Sequence, residues 1–194
     1  MPEFDINIEN VVAFASLNKK FDLVSLVGKL KDAEYDGERF PGAVYRIAEP
    51  RVSALLFSSG KIVCTGAKNI ESAKVAVKKI VGDIRATGVD LPHTYDLEIE
   101  NIVASTKIKA DLNLEEIVMQ LENTEYEPEQ FPGLVYRVNE PRVAFLLFSS
   151  GKIICTGARR IEDIHEALGK FKARMKEIGI EVKPEKQAKE QPKK

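Results

Sequence analysis

The chain contains the same segment twice, and this duplication is the feature that most limits its fold. Residues 40–67 read FPGAVYRIAEPRVSALLFSSGKIVCTGA and residues 131–158 read FPGLVYRVNEPRVAFLLFSSGKIICTGA, with 22 of 28 positions identical. Every match is displaced by 91 residues without insertion or deletion, and the register continues outside the segment, where Asn10 corresponds to Asn101 and Gly88 to Gly179. Two copies of one structural unit are therefore expected, arranged about a pseudo-two-fold axis.

Each copy has the same predicted order of elements. The β-branched, largely alternating residues 5–17 and 96–108 predict a strand, and the apolar spacing in residues 22–30 and 114–121 predicts a short helix. A brief strand at residues 34–35 should precede three strands at residues 43–47, 52–57 and 61–65. A long helix should then run from a cap at Asn69 to Gly88. Each copy thus reads as strand, helix, four strands and long helix.

The whole chain is predicted to be an α+β protein with ten strands and four helices. The duplication places the first repeat in residues 1–91 and the second in residues 92–182. Residues 183–194 read as a charged, disordered tail because they are polar and interrupted by proline. Four helices can cover one face of a large antiparallel sheet, and nothing else in the chain is left to cover the other face.

The alternation of side chains predicts what this uncovered face carries. Leu55, Val63 and Thr65 should lie on it with Phe57 and Lys61, whereas the intervening Leu56, Ile62 and Cys64, free of charge, should pack on the helices. An apolar surface that also holds basic residues is typical of a partner-binding site. The equivalent positions of Cys64 and Cys155 in the two copies indicate a small apolar core site rather than a disulfide or a metal ligand.

The charge distribution favours an anionic partner. Residues 40–68 hold four Lys or Arg against Glu49, and residues 131–160 hold five against Glu140, whereas the whole chain has a net charge of −1. The duplicated segments are therefore locally basic within an acidic protein. No apolar run approaches the roughly 18 residues of a membrane span, and the acidic start does not resemble a signal peptide, so an intracellular protein without a membrane partner is expected.

The uncovered face suits the minor groove of DNA. That groove displays the acceptors A N3 and T O2, and only G·C pairs add a protruding amine. Asn10, Asn101, Thr65 and Thr156 would donate hydrogen bonds to the acceptors of A·T pairs. The flat apolar groups around them would exclude the amine of G·C pairs. Four Phe residues recur as two pairs, Phe40 with Phe57 and Phe131 with Phe148, and paired apolar wedges are what partial insertion between base steps needs.

The repeated FPGxVYRxxEPRVxxLLFSSGKIxCTGA segment, the E-N-[VI]-V-A strand starts and the long helix after each TGA resemble the TATA-box-binding protein family in its short archaeal form. The resemblance covers residues 5–180. It implies one curved, saddle-like ten-stranded sheet with four helices on the convex face. It also implies a concave face that binds the TATA minor groove and kinks the duplex, with no catalytic activity, no cofactor and no metal.

The resemblance assigns roles to residues at matching positions. The kinking pairs are the four Phe residues named above, and the central base-edge donors are Asn10, Asn101, Thr65 and Thr156. The apolar contacts to the groove floor are Val12, Val103, Val63, Ile154, Leu55 and Leu146. The contacts to the DNA backbone are Arg46, Arg137, Lys61, Lys152, Ser59 and Ser150.

The resemblance also implies protein partners. The acidic loop with Glu127 and Glu129 resembles the edge that meets transcription factor B, although Gln130 stands where a Leu is often found. RNA polymerase would be a further partner, bound through the initiation complex. In an archaeal cell, which has no nucleus, this activity would take place in the cytoplasm.

Two other classes of function are open from the residues alone. An enzyme or small-molecule carrier would need a catalytic group, but both His residues lie outside the duplicated segments, and the Ser58-Ser59-Gly60 turn has no neighbouring base. A scaffold is the other class, in which the open faces of two molecules pair, so that a homodimer forms without DNA.

Overall fold

A computed structural model describes residues 3–185, which form ten strands and four helices. The first repeat contains β1 (Asn7–Ser16), α1 (Leu23–Val27), β2 (Ala33–Glu34), β3 (Gly42–Ile47), β4 (Val52–Phe57), β5 (Lys61–Ala67) and α2 (Ile70–Ala86). The second contains β6 (Asp96–Lys107), α3 (Leu114–Gln120), β7 (Thr124–Glu125), β8 (Leu134–Val138), β9 (Val143–Leu147), β10 (Lys152–Ala158) and α4 (Ile161–Glu177). Every element predicted from the sequence is present.

All ten strands belong to one antiparallel sheet. Its strand order is β2-β3-β4-β5-β1-β6-β10-β9-β8-β7, so the order of the second half reverses that of the first. This arrangement confirms the prediction of two repeats that share a ten-stranded sheet. Between strands β5 and β1 the register shifts next to Gly66, and between β10 and β6 it shifts next to Gly157; both glycines have positive φ. A glycine adopts this backbone conformation without steric cost.

One face of the sheet carries the hydrophobic core of each repeat. In β4 the residues Val52, Ala54 and Leu56 are buried, whereas the alternating residues Leu55 and Phe57 are only partly buried. The helix α2 packs on β5 through a stripe of buried Ala, Val and Ile residues. This periodicity confirms the predicted separation of the strand residues into a helix-covered face and an uncovered face.

The two long helices begin in different ways. The side chain of Asn69 accepts a hydrogen bond of 2.7 Å from the backbone N–H of Ser72, which caps α2 as predicted. At the start of α4 the corresponding position is Arg160, whose side chain makes no capping hydrogen bond. Arg160 instead forms a 2.6 Å ion pair with Asp163, and this contact lowers the pKa of the Asp163 carboxyl group. The negative charge of Asp163 also lies in the first turn, where the helix dipole favours it.

Both cysteines are core residues. Cys64 and Cys155 are buried and free, and burial raises the pKa of Cys64 to about 11 and that of Cys155 to about 12. Each thiol is therefore protonated at neutral pH and behaves as a small apolar group. This confirms the interpretation from their equivalent positions.

The contacts divide the described chain into two compact units. One unit is Asn10–Asn101, and the other consists of the chain from Ile102 onward together with the residues before Asn10. The repeat boundaries predicted from the sequence, 1–91 and 92–182, stay a prediction. In the second unit, Phe4 is buried, and the hydroxyl of Thr106 donates a 2.7 Å hydrogen bond to the carbonyl of Asp5.

The start of the predicted tail is attached to the sheet. Pro184 forms an antiparallel bridge with Ile108, and the N–H of Glu185 donates a 2.8 Å hydrogen bond to the carbonyl of Lys107. Residues 183–185, assigned to the tail from composition alone, thus have backbone partners at the end of β6 and just after it. The rest of the predicted tail, residues 186–194, lies outside the described residues. Within residues 3–185, no helix combines the length and apolarity needed to cross a membrane.

Candidate nucleic-acid interface

The open face is the side of the sheet opposite the helices in each repeat. In the first repeat a row of partly buried apolar residues crosses four strands, because Val44 lies beside Leu55, Leu55 beside Val63, and Val63 beside Phe14. In the second repeat the equivalent row is Val135, Leu146, Ile154 and Ser105. The rows contain Leu55, Val63, Leu146 and Ile154, which the sequence had assigned to this face.

Four members of these rows, Val44, Val135, Phe14 and Ser105, were not predicted from the sequence. Val44 and Val135 occupy the same position in the two copies, and Phe14 stands where the second copy has Ser105. The alternation of strands β3 and β8 was a sufficient signal for the two valines. Phe14 had a signal only in the alternation of β1, since its partner in the duplication is polar.

The paired phenylalanines lie at the border of the open face, and none of their rings is sealed in the core. The ring centroids of Phe40 and Phe57 are 6.0 Å apart in an edge-to-face arrangement, and those of Phe131 and Phe148 are 5.9 Å apart. Phe40 is 40% exposed and Phe131 is 41% exposed, whereas their partners are partly buried. Two aromatic pairs, each with one exposed ring, are therefore present in equivalent places.

The glycine after each Phe-Pro has a packing role that the sequence did not reveal. A glycine after proline is typical of a turn, but Gly42 is buried and begins β3. A Cβ atom at Gly42 would lie 2.8 Å from the ring of Phe40, and one at Gly133 would lie 2.6 Å from the ring of Phe131. Any side chain here would displace the neighbouring ring, so these glycines fix where the exposed rings lie.

A polar cluster lies at the inner end of the first repeat's open face. The backbone N–H of Gly66 donates a 2.7 Å hydrogen bond to Asn10 Oδ1. This bond identifies the oxygen of the amide, so the amide nitrogen of Asn10 points away from Gly66. That nitrogen is 2.9 Å from the hydroxyl oxygen of Thr65. Asn101 and Thr156 occupy the equivalent positions and are also partly buried. The valines Val12 and Val103 follow two residues after each Asn and are partly buried as well.

The arginines of the open face have acidic neighbours on the edge strands. Arg46 forms a 3.1 Å ion pair with Glu34 on β2, and Arg137 forms a 3.4 Å pair with Glu125 on β7. More than half of each of these side chains is exposed, and such surface pairs contribute only about 0–1 kcal/mol. A phosphate group can therefore replace either glutamate as the partner of its arginine at small cost.

The remaining predicted backbone contacts lie around the tight hairpin of each repeat. Lys61 and Lys152 are exposed at the starts of β5 and β10, and Ser59 and Ser150 are exposed in the turns. The ammonium of Lys61 is also 5.9 Å from the ring centroid of Phe14, within the range of a cation–π contact. These positions present hydroxyl and ammonium donors to solvent.

The acidic loop between β7 and β8 is exposed and ordered by its own hydrogen bonds. The carbonyl of Glu127 accepts hydrogen bonds of 3.0 Å from the backbone N–H groups of Gln130 and Phe131. The side chain of Gln130 also donates to the Glu127 carboxylate. Glu127 and Glu129 are exposed, so their charges are available to a partner.

The described residues offer no metal site. Across residues 3–185, no group of three or more His, Cys, Asp or Glu side chains is placed to hold a metal ion. His93 is exposed and His165 is partly buried on α4, and neither belongs to the open face. What the open face offers is apolar area, amide and hydroxyl donors, and cations at its border.

Comparisons with known proteins match almost all of the chain. The model of the family described as "Transcription factor TFIID (or TATA-binding protein, TBP)" matches residues 5–87 and again residues 96–178. The TATA-box-binding protein of Methanothermobacter thermautotrophicus is 49% identical over 180 residues, which cover 93% of this chain and 99% of the relative. That of Pyrobaculum aerophilum is 48% identical, with 89% and 87% covered. A solved structure, Methanococcus jannaschii TBP, superposes with a TM-score of 0.82 at 43% identity, covering 89% of this chain and 99% of that one.

Proposed function

Because the chain belongs to the TATA-binding protein family, we propose that it is a transcription initiation factor whose open face binds the minor groove of TATA-box DNA. The observation that carries this proposal is the pair of apolar rows, Val44–Leu55–Val63–Phe14 and Val135–Leu146–Ile154, on a face that the helices leave bare. Exposure of such an apolar surface to water costs free energy, and burial of the surface against a partner recovers that free energy.

The chemistry of the face selects A·T pairs. Methyl and methylene groups lying against the groove floor leave no room and no acceptor for the amine that each G·C pair places there. The Gly66 N–H holds the Asn10 carbonyl oxygen, and the Asn10 amide nitrogen donates one hydrogen bond to the Thr65 hydroxyl. The second N–H of this amide donates to the acceptors A N3 and T O2. Discrimination between A·T and G·C pairs thus comes from exclusion of the guanine amine as well as from hydrogen bonds.

The exposed phenylalanine pairs act as wedges at the ends of the bound segment. Insertion of apolar side chains between base steps, of which TATA-binding proteins are themselves an example, unstacks these steps and kinks the duplex. Phe131 and Phe40 are two-fifths exposed in the free protein, which fits this role. Arg46, Arg137, Lys61, Lys152, Ser59 and Ser150 then hold the phosphates on both sides of the groove.

Assembly of the initiation complex follows from the bent DNA and from the acidic loop. Glu127 and Glu129 form an exposed anionic edge beside Phe131, which suits a basic surface of transcription factor B. RNA polymerase would be recruited through that factor. The protein would act in the cytoplasm, because an archaeal cell has no nucleus.

We expect a TATA duplex to bind at least about 100-fold more tightly than a duplex in which G·C pairs replace the central A·T pairs, at roughly 1–3 kcal/mol for each mismatched pair. Gel-shift titration of both duplexes gives the affinities. Energy transfer between dyes at the two duplex ends reports the bend, which should occur only with the TATA duplex. Near-equal affinity for both duplexes, or a straight TATA complex, would refute the proposal.

A further inference from the structure

Each repeat has a tyrosine on the helix-covered side of the sheet, beside the long helix, and its neighbour differs between the copies. Tyr45 in β3 corresponds to Tyr136 in β8, and Asp83 in α2 corresponds to Arg174 in α4. The duplication preserves the aromatic residue and reverses the charge next to it. One repeat therefore serves as a template for what the other lacks.

In the first repeat the tyrosine is satisfied within the protein. The Tyr45 hydroxyl donates a 2.8 Å hydrogen bond to Asp83 Oδ2. Burial, this hydrogen bond and the charge of Asp83 raise the pKa of Tyr45 to about 12, so the hydroxyl stays a donor. A carboxylate is thus the natural acceptor at this place in the fold.

In the second repeat no carboxylate accepts from the tyrosine. The Tyr136 ring is buried, stacked on Phe145 and tilted against Phe171, with centroids 6.2 Å and 6.0 Å away. Its hydroxyl makes no hydrogen bond to any residue in the described range 3–185. The hydroxyl borders a groove of about 330 Å³ between the β8–β9 turn and α4, which Asn139, Lys170 and Arg174 also line. The groove is open to solvent and contains a donor without an acceptor.

The basic residues that line the groove pair with glutamates on the protein surface, and Lys170 also donates a hydrogen bond to the carbonyl of Glu140. Arg174 pairs with Glu177 on the next turn of α4, and Lys170 pairs with Glu166 at 2.9 Å. The Arg174 and Lys170 side chains are 45% and 47% exposed, and exposed pairs of this kind contribute little. The lining also contains Arg137, which pairs with Glu125 at 3.4 Å, and one acidic residue, Glu140. Each cation of the groove thus has a glutamate partner that a carboxylate from another protein can replace at small cost.

We propose that the groove of the second repeat binds an aspartate or glutamate side chain from an acidic segment of a partner protein. The bound carboxylate accepts a hydrogen bond from Tyr136 and pairs with Arg174, in the place that Asp83 fills in the first repeat. Arg174 can hold a carboxylate through two N–H groups, and Lys170 adds a second positive charge. Because Tyr136 and α4 lie on the helix-covered side of the second repeat, DNA on its open face leaves the groove accessible.

The test uses a short dye-labelled peptide in which aspartate alternates with glycine, and a matched peptide with asparagine in place of aspartate. Fluorescence anisotropy at low salt should show the aspartate peptide binding at least about tenfold more tightly, since hydrogen bonds to a charged group are stronger than those to a neutral amide. The substitution Arg174→Asp should reduce its affinity to that of the asparagine peptide. It copies the Tyr–Asp pair of the first repeat, so the chain should stay folded and bind a TATA duplex normally.

The first repeat supplies the reverse experiment. Asp83→Arg should free the Tyr45 hydroxyl and create a second site, so that the peptide stoichiometry rises from one to two per chain. Tyr136→Phe should weaken binding without changing the charge of the groove. An affinity for the aspartate peptide that is unchanged in Arg174→Asp would overturn the proposal, because binding would then depend on basic residues elsewhere. An unchanged stoichiometry in Asp83→Arg would also overturn it.

Discussion

Replacing Phe131 and Phe148 together by alanine should remove DNA bending and weaken TATA binding by roughly 30-fold or more, since each aromatic–base contact contributes about 1–3 kcal/mol. Both rings lie at the border of the open face, and the Phe131 ring is 41% exposed in the free protein. Without them the duplex has nothing to hold a base step open at that end. Bend angle by energy transfer and affinity by gel shift should fall together.

The control for this variant is a substitution of similar size away from the open face. Met119 on α3 is 85% exposed, so Met119→Ala should change neither affinity nor bending. The double Phe variant should remain folded, because it loses mainly an edge-to-face contact of about 0.5–1.5 kcal/mol and partly exposed apolar area. A double variant that bends the TATA duplex normally would show that these rings are not wedges. The pair Phe40 and Phe57 provides the same experiment at the other repeat.

Substitutions at two adjacent residues of β5 should have opposite effects on DNA binding and on stability. Val63 faces the open side and is partly buried, whereas Ile62 is fully buried against the helices. Val63→Glu should leave the free energy of unfolding within about 1 kcal/mol, because the carboxylate can reach water in the free protein. In the complex that charge would be buried against groove-floor acceptors, at a cost of about 3–5 kcal/mol, so TATA binding should fall at least 100-fold.

Ile62→Glu should give the opposite pattern. Its carboxylate would enter the core beneath α2, where an unpaired charge is costly enough to raise its own pKa or unfold the chain. Urea denaturation should therefore report a large loss of stability for Ile62→Glu and almost none for Val63→Glu. Val63→Gln is the neutral control, and it should bind more tightly than Val63→Glu. Normal TATA binding by Val63→Glu would mean that DNA does not contact the open face.

Much of the fold was predictable because its determinants are local and occur twice. The alternation of side chains in β4 and β5 is enough to separate Leu55 and Val63 from Leu56 and Ile62. The cap at Asn69 and the positive-φ glycine at residue 88 bounded α2 correctly. Each of these signals depends on neighbours within a few residues, where sequence patterns are most informative.

The features that escaped prediction depend on contacts distant in sequence. The pairing of Arg46 with Glu34 requires the register of β2 on β3, and β2 has only two residues. The bond between Tyr45 and Asp83 joins a strand to a helix 38 residues later. Gly42 looks like an ordinary turn residue until the ring of Phe40 is placed against it. In each case the chemistry was visible in the sequence, but the juxtaposition was not.

The most direct test of minor-groove binding by the open face is to replace the A·T pairs of a TATA duplex with inosine·cytosine pairs. Inosine lacks the amine of guanine, so these pairs resemble A·T in the minor groove while presenting a G·C-like pattern in the major groove. Affinity measured by gel shift should stay within about threefold of the TATA duplex, whereas the G·C duplex binds far more weakly. Loss of binding to the inosine duplex, equal to that for G·C, would place recognition in the major groove and contradict the account.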